Sequence, residues 1–340
     1  MNRPLRLGVL DQSPVPEGST AAGALADTIA LARHAETLGY SRYWLAEHHN
    51  HPGLAGPAPE VLIAAVAGAT ERIRVGSGGV MLPHYSPLHV AEQFKVLEAL
   101  HPGRIDLGLG RAPGSDPVTA TALNPQQRPD EFPNQVQDLI GWLEDRLDPA
   151  HPFARVAAGP DPEGAPEVWL LGSSGYGGAV AAVFGRPFSF AHFINPHAGP
   201  EAVASYRERF RSDGPLRAEP RVNVCVIALC ADTDEEVDAL SATAAMWRLQ
   251  LEQGRPGPVP APERAAALAF TGDQLARNAK MRKHHAIGTP DVVAARLREI
   301  ANRYDTDELM LLTITHDPAA RARSYELVAQ ACGLSSTIPA

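Results

Sequence analysis

Short apolar, β-rich runs alternate with longer amphipathic segments along this chain, and the alternation restricts the fold more than any other feature. Eight runs have the length and composition of buried strands: Arg6–Asp11, Tyr43–Glu47, Ile73–Leu82, Ile105–Gly110, Val168–Leu171, Phe188–Asn195, Val222–Ala231 and Leu309–Thr315. The main segments with helical spacing are Ala22–Leu38, Pro59–Thr70, Pro87–Leu100, Gln135–Leu147, Tyr176–Phe184, Pro200–Arg211, Asp234–Gln253 and Pro318–Ala331. Strand followed by helix, repeated, requires parallel pairing with right-handed crossovers.

Two α/β folds satisfy this pattern, a (β/α)8 TIM barrel and a doubly wound open sheet. The count of eight units favours the barrel. No G-x-G-x-x-G motif separates the first strand from its helix, where LGVLDQSPVPEGS stands instead. We therefore predict a single barrel domain over residues 1–340, since barrels of this length occur as one unit.

Three irregular stretches interrupt the alternation. They are Arg111–Asn134, His151–Pro166 and a third that opens with GRPGPVPAP at Gly254–Pro262 and continues through the basic segment KMRKHH. Long insertions in compact folds are more often lids or binding loops than idle linkers. The third stretch, over residues 253–288 after the seventh strand, is therefore predicted to be a lid or a binding loop.

Composition excludes several functional classes. Hydrophobic residues make up 44% and charged residues 20%, as in ordinary globular proteins, and the formal net charge of -9 disfavours nucleic acid and anionic membranes as partners. The apolar stretch near the start is too short for a signal peptide, and no span has membrane length. The three cysteines lack CxxC spacing, which predicts small buried hydrophobes. A cytoplasmic protein is expected.

Three histidines and a carboxylate crowd the segment YWLAEHHNHPG, behind the second predicted strand. Barrels carry their active sites at the carboxyl ends of the strands, so the position indicates function. His48 and His49 are consecutive and would point in different directions, which disfavours a metal site. Two interpretations stay open on the residues alone: an acid–base group, or a structural imidazole bonded to backbone or to Glu47.

The third strand ends in VGSGGVMLPHYSP, with Gly78 and Gly79 adjacent. Paired glycines weaken a strand unless a bulge or a close approach requires them. A planar ring beside the strand and a bulge in the barrel wall both account for this pair.

The ends of the fourth and fifth strands, GLGRAPGSD and LLGSSGYGG, supply a cation, hydroxyl groups and a helix N-terminus. These are the components of a phosphate site. A surface ion pair for the arginine and an N-cap for a serine are the structural alternatives. With the histidine and the glycine pair they match a phosphorylated planar cofactor. The candidate residues here are Arg111, Ser173, Ser174, Gly175, Tyr176 and Gly177.

The segments YWLAEHHN, IRVGSGGVMLPHYSPLHVAEQFKVLEALHPGRIDLGLGRAPG, LLGSSGYGG and HHAIGTPDVVAARL together resemble the bacterial luciferase-like flavin monooxygenases. The resemblance is closest to the single-gene luciferase-like oxidoreductases; it covers nearly the whole chain and is most specific from Tyr43 to Gly114. It implies a (β/α)8 barrel with a mobile lid after the seventh strand. It also implies reduced FMN, supplied by a separate flavin reductase.

The resemblance also implies roles for individual residues. His48 stands at the position of the family's catalytic histidine, an acid–base group near the flavin. The Gly78–Gly79 bond stands where the family has a non-proline cis peptide beside the flavin ring. Arg111 and Ser174 match phosphate-binding residues. Gly110 and Ser173 replace a cysteine and an acidic residue of the luciferases, so light emission is not predicted.

The function that the resemblance implies is oxygenation of a small organic substrate, such as an aldehyde, by reduced FMN and O2. It also implies a homodimer, for which Pro59–Thr70 and Pro87–Leu100 offer apolar surface, although burial of these helix faces within the monomer explains the same residues. Three alternatives remain: hydride transfer with the deazaflavin F420, a non-catalytic flavin-binding protein, and a metal-dependent barrel hydrolase. For a metal-dependent hydrolase, the carboxylate and lysine ligands expected at the other strand ends are missing from this sequence.

Overall fold

A ring of parallel strands forms the centre of the computed structural model, which describes residues 4–211 and 219–335. The strands in chain order are β1 Arg6–Asp11, β2 Arg42–Leu45, β3 Arg74–Ser77, β4 Val80–Met81, β5 Ile105–Gly110, β6 Glu167–Gly172, β7 Phe188–Ala191, β8 Val222–Cys230, β9 Ala286–Gly288 and β10 Glu308–Leu312. β10 pairs with both β1 and β8, which closes the ring, while β4 and β9 add short pairings to β5 and β8. The eight strands of the ring are those predicted, and the barrel fold is confirmed.

Helices surround the ring. They are α1 Ala21–Thr37, α2 Pro59–Ala69, α3 Pro87–Leu100, α4 Pro117–Leu123, α5 Phe132–Leu143, α6 Gly175–Val183, α7 Gly199–Arg209, α8 Asp234–Glu252, α9 Pro262–Ala267, α10 Gly272–His284, α11 Pro290–Tyr304 and α12 Pro318–Cys332. Within the described ranges, none has the length and apolarity needed to cross a lipid bilayer. Residues 1–3, 212–218 and 336–340 of the expected single domain lie outside the described residues.

The predicted third strand is divided in two. Its run is split into β3 and β4 by a cis peptide bond between Gly78 and Gly79. A Cβ at Gly79 would lie 2.6 Å from the carbonyl oxygen of Gly108, and one at Gly108 would lie 2.2 Å from that of Ser77. Because the neighbouring backbone approaches this closely, a side chain has no room at Gly79 or Gly108.

Several predicted boundaries differ from the structure. The stretch 111–134 was expected to be irregular, yet it contains α4, whose N-cap Asp116 accepts hydrogen bonds from the backbone N–H groups of Val118 and Thr119. The run Phe188–Asn195 stops being a strand at Ala191. A helix of seven residues is too short for its apolar residues to show a clear helical repeat, so the sequence pattern did not predict α4.

The cysteines lie as predicted. Cys225 and Cys230 are buried, Cys332 is half-buried, and all three are free thiols. Burial raises the pKa of the Cys230 thiol to about 12, so it stays protonated and unreactive at neutral pH.

A buried charged cluster fills the amino-terminal end of the barrel. The Arg42 guanidinium donates to Glu308 at 2.7 Å and to Asp106 at 2.5 Å, and Trp44 Nε1 donates to Asp106 at 2.9 Å. Arg42, Asp106 and Glu308 are each at most 5% exposed. The cluster therefore joins β2, β5 and β10 across the barrel.

At the opposite end, the insertion after β8 is attached to the loop after β1. The Val259 N–H donates to the Val15 carbonyl at 2.8 Å, and the Glu17 N–H donates to the Val259 carbonyl at 2.8 Å. Arg264 pairs with the Glu17 carboxylate. Further along the insertion, α10 contributes no buried side chain. The first part of the insertion is thus fixed to the barrel, and α10 lies over it without a core of its own.

Candidate active site

A cavity of about 330 Å³ opens at the carboxyl ends of the barrel strands, and we call it the rim cavity. It brings together most of the predicted site residues. The predicted residues that line it are His48, Gly78, Gly79, Arg111, Ser173, Ser174, Tyr176 and Gly177. Gly175 does not line it, although as the first residue of α6 it stands between two that do.

Other lining residues were missed by the sequence reasoning. They come from the ends of further strands and include Leu10, Gln12, Trp44, Met81, Phe193, Cys225 and Met310. Most are apolar, which made them indistinguishable from core residues in the sequence. The barrel rule itself could have found Gln12, because it directly follows β1.

His48 follows β2 and carries an unsatisfied ring nitrogen. Its backbone N–H donates to the Gly56 carbonyl at 3.3 Å, which holds the main chain in place. Its Nδ1 is buried and has no hydrogen-bond partner among the described residues. Burial, with smaller contributions from His51 and His49, lowers the pKa of His48 to about 4. The imidazole is therefore neutral at physiological pH and has one nitrogen available for a ligand.

Glu47 holds the neighbouring histidine instead. This buried carboxylate accepts hydrogen bonds from the Tyr85 hydroxyl at 2.8 Å and the Met81 N–H at 2.9 Å, and its Oε1 lies 2.7 Å from His49 Nε2. The His51 ring packs against Trp247 with centroids 5.6 Å apart. The structural interpretation thus fits His49, and the three histidines have separate surroundings.

The described residues contain no group of three or more His, Cys, Asp and Glu side chains that could hold a metal ion.

The rim of the cavity carries a free cation beside a helix N-terminus. The Arg111 guanidinium lies over the Tyr176 ring at 4.1 Å and forms no salt bridge within the described ranges. Ser174 is the N-cap of α6, but its side chain makes no capping hydrogen bond. The first N–H groups of an α-helix have no intrahelical acceptor, so an anion here would meet several donors at once.

A second cavity, of about 490 Å³, adjoins the first, and we call it the lid cavity. It lies between α8, α10 and the ends of β8 and β10, and it shares Gln12 and Phe193 with the rim cavity. Its walls are largely aliphatic and aromatic. A ligand in this position would lie next to whatever occupies the rim cavity.

Comparison with known proteins identifies the family. The model of the luciferase-like monooxygenases matches residues 5–307. The chain belongs to the luciferase-like monooxygenase family. It is 47% identical to the Bacillus subtilis protein YwcH, over 96% of this chain and 98% of that one. It is 35% identical to the N-acetyl-S-alkylcysteine monooxygenase of Bacillus subtilis, over 96% and 98% of the two chains. The crystal structure of apo-MsnO8 superposes with a TM-score of 0.90 at 39% identity, covering 97% and 99% of the two chains.

Two more distant members of the fold use different cofactors. The oxygenating constituent of 3,6-diketocamphane monooxygenase from Pseudomonas putida, solved in complex with FMN, has a TM-score of 0.67 at 19% identity and covers 99% of both chains. An F420-dependent secondary alcohol dehydrogenase has a TM-score of 0.68 at 14% identity and covers 97% of this chain and 99% of its own. At these identities the likeness concerns the fold alone.

The depressed pKa of His48 predicts acid sensitivity in this luciferase-like monooxygenase. The unfolded chain takes up a proton near pH 6.5 and the folded protein only near pH 4, so stability is lost as the pH falls through this window. The contribution is up to about 3 kcal/mol. In urea unfolding, we expect the free energy of unfolding of His48→Gln to decrease less between pH 6.5 and pH 4 than that of the unchanged protein. Parallel curves for the two proteins would contradict the assignment.

Proposed function

We propose that the protein is a flavin-dependent monooxygenase that uses reduced FMN and O2 to oxygenate a small organic substrate. The observation that carries the proposal is the rim cavity, where an apolar slot, a free arginine beside a helix N-terminus and a neutral histidine meet. Membership of the luciferase-like monooxygenases supports the same activity.

The residues present fit FMN. Arg111, Ser174 and the N–H groups at the start of α6 would hold the phosphate. The apolar walls and the glycine pair Gly78–Gly79 would face the ring system. When bound, reduced FMN would supply the two electrons and two protons with which one oxygen atom of O2 leaves as water while the other enters the substrate.

The protein's own groups would manage protons and exclude water. His48 is neutral at pH 7, so it can accept a proton on its unpartnered Nδ1 and return it. Trp44, Phe193 and Met310 surround the site with apolar surface. We propose that the insertion at residues 253–288 acts as the lid, because α10 lies over the adjoining cavity.

The alternatives are less well supported. A storage protein needs no imidazole with an unsatisfied nitrogen inside the cavity, whereas a catalyst does. Hydride transfer with F420 remains the second candidate, since the fold also serves that cofactor. The segments EHH at Glu47–His49 and GRAPG at Gly110–Gly114 resemble those of FMN users more closely, which favours FMN.

Further partners follow from the proposed activity. We propose a separate flavin reductase as the source of reduced FMN, and a cytoplasmic location for the protein. We propose a homodimer formed through α2 and α3, where Val61 is 64% and Leu100 62% exposed. Sedimentation velocity measures the assembly state directly. A monomer at micromolar concentration would contradict the dimer.

We expect Arg111→Ala to weaken binding of reduced FMN about ten- to a hundredfold, because one charge-assisted contact to phosphate is lost. The measurement is an anaerobic fluorescence titration, with F420 titrated in parallel. Arg128→Ala is the matched control, since Arg128 is also exposed on the same insertion but does not line the cavity. Tight binding of F420 alone would favour the alternative function, hydride transfer with F420. Binding of neither cofactor would refute the proposed function.

A further inference from the structure

The lid cavity has one unusual feature, a cation among apolar walls. Its floor is built from Ile227 and Leu229 of β8 with Leu312 of β10, and Leu275 of α10 forms part of its cover. Arg248 of α8 lies in this same lining. Arginine is rarely placed against an apolar cavity without a counter-ion, because removing its charge from water is costly.

Arg248 has no carboxylate partner within the described residues. Its Nη1 donates to the sulfur of Met281 at 2.9 Å, and a thioether is a weak acceptor. Burial lowers the pKa of the guanidinium, which Glu252 opposes from a longer range without forming a salt bridge. The other arginine of the cavity, Arg282, is already paired with Asp238 at 2.6 Å. The cavity therefore has one uncompensated positive charge.

Two further polar groups of the cavity are unsatisfied. His285 is 3% exposed, and its Nδ1 has no hydrogen-bond partner in the described part of the chain. The Ser241 hydroxyl oxygen is also buried without a partner. Both residues line the lid cavity with Arg248. Buried polar atoms are normally paired, so this combination of donors and acceptors points to a ligand with a polar head.

The outer approach to Arg248 is also basic. A depression of about 340 Å³ on the outside of α8 and α10 shares Arg248 and Met281 with the lid cavity. Lys280, Arg277 and Glu252 also line it. Arg277 forms an ion pair with Glu252 at 4.0 Å, so Lys280 and Arg248 leave the lining with a net positive charge. A cationic entrance attracts anions and repels cations.

We propose that the lid cavity binds the substrate as an organic carboxylate, with its head group on Arg248 and its apolar body extending toward the rim cavity. The inference rests on the proposed function, because the lid cavity adjoins the proposed cofactor site and shares Gln12 and Phe193 with it as lining residues. The guanidinium can bind a carboxylate through two hydrogen bonds, and the aliphatic walls take the rest of the molecule. The atom to be oxygenated then belongs to the apolar part of the substrate, away from the carboxylate.

The test compares ligands that share one chain and differ in the head group. Isothermal titration of the full-length protein with octanoate, octanol and octylamine, with and without FMN, reads binding without turnover. We expect octanoate to bind at least about tenfold more tightly than the other two. Arg248→Met, which keeps the length of the side chain, should remove this preference. Arg282→Met is the matched control and should retain it, because Arg282 is paired within the protein.

Arg248→Lys distinguishes loss of the charge from misfolding. It keeps the positive charge and should keep part of the preference for octanoate. Equal binding of octanoate and octanol would overturn the proposal, and so would a preference that survives in Arg248→Met. Failure of the proposed function looks different: FMN then fails to bind, while the titrations without FMN still report the head-group preference of the cavity.

Discussion

Replacing His48 by glutamine is expected to lower kcat/KM for oxygenation by about 10²- to 10⁴-fold, the usual contribution of one acid–base group. The imidazole is neutral at physiological pH and its Nδ1 has no partner in the described residues, so it is free to take a proton during the reaction. Glutamine fills similar space but cannot carry that proton. Product formation and oxygen uptake are measured together, with a substrate identified from the carboxylate series.

The control for this prediction is His89→Gln, because His89 lies exposed on α3 and outside both cavities. The pH profile gives a second readout. The acidic limb of kcat/KM should lie near pH 4, the pKa of His48 in the free protein, and not near 6.5. An unchanged rate in His48→Gln would leave this histidine with a packing role alone.

The second large effect concerns stability. We expect Arg42→Met to lower the free energy of unfolding by about 3–5 kcal/mol, because it removes the buried cation that Asp106 and Glu308 share and leaves them only the more exposed Arg74 and Arg6. Methionine preserves most of the apolar contact of the arginine stem, so lost packing contributes little. Equilibrium unfolding in urea, followed by far-UV circular dichroism, measures the change.

Arg72→Met is the comparison for this prediction. Arg72 precedes β3 at the same end of the barrel and pairs with Glu71 at 3.7 Å, and the two side chains are 53% and 84% exposed. Exposed pairs contribute at most about 1 kcal/mol, so this variant should differ little from the unchanged protein. If Arg42→Met also lowered the free energy of unfolding by no more than about 1 kcal/mol, water would have to reach the charged cluster.

The barrel could be predicted from the sequence because its strands have a strong local pattern. A buried parallel strand is a continuous apolar run, as in VCVIALC of β8, and the regular alternation with helices leaves few topologies. The rule that barrel sites lie at strand ends then placed His48 and Arg111 at one rim, and the structure puts both in one cavity.

Contacts between distant parts of the chain could not be predicted in this way. The cluster of Arg42, Asp106 and Glu308 joins residues that are 64 and 266 positions from the arginine, and no local pattern marks such partners. The position of Arg248 in a cavity could not be predicted for another reason. A charged residue in an amphipathic helix is normally assigned to the solvent face, and only the packing of α10 against α8 turns it toward a cavity.

The attachment of Val259 and Arg264 to the loop after β1 divides the insertion into a fixed part and a replaceable one. The α10 helix of 13 residues has no buried side chain, so the barrel core places few constraints on its sequence. Exchanging it alters one wall of the lid cavity and leaves the rim cavity untouched. If the lid cavity holds the substrate as proposed, replacements confined to this one helix would change the choice of substrate without altering any residue that lines the rim cavity.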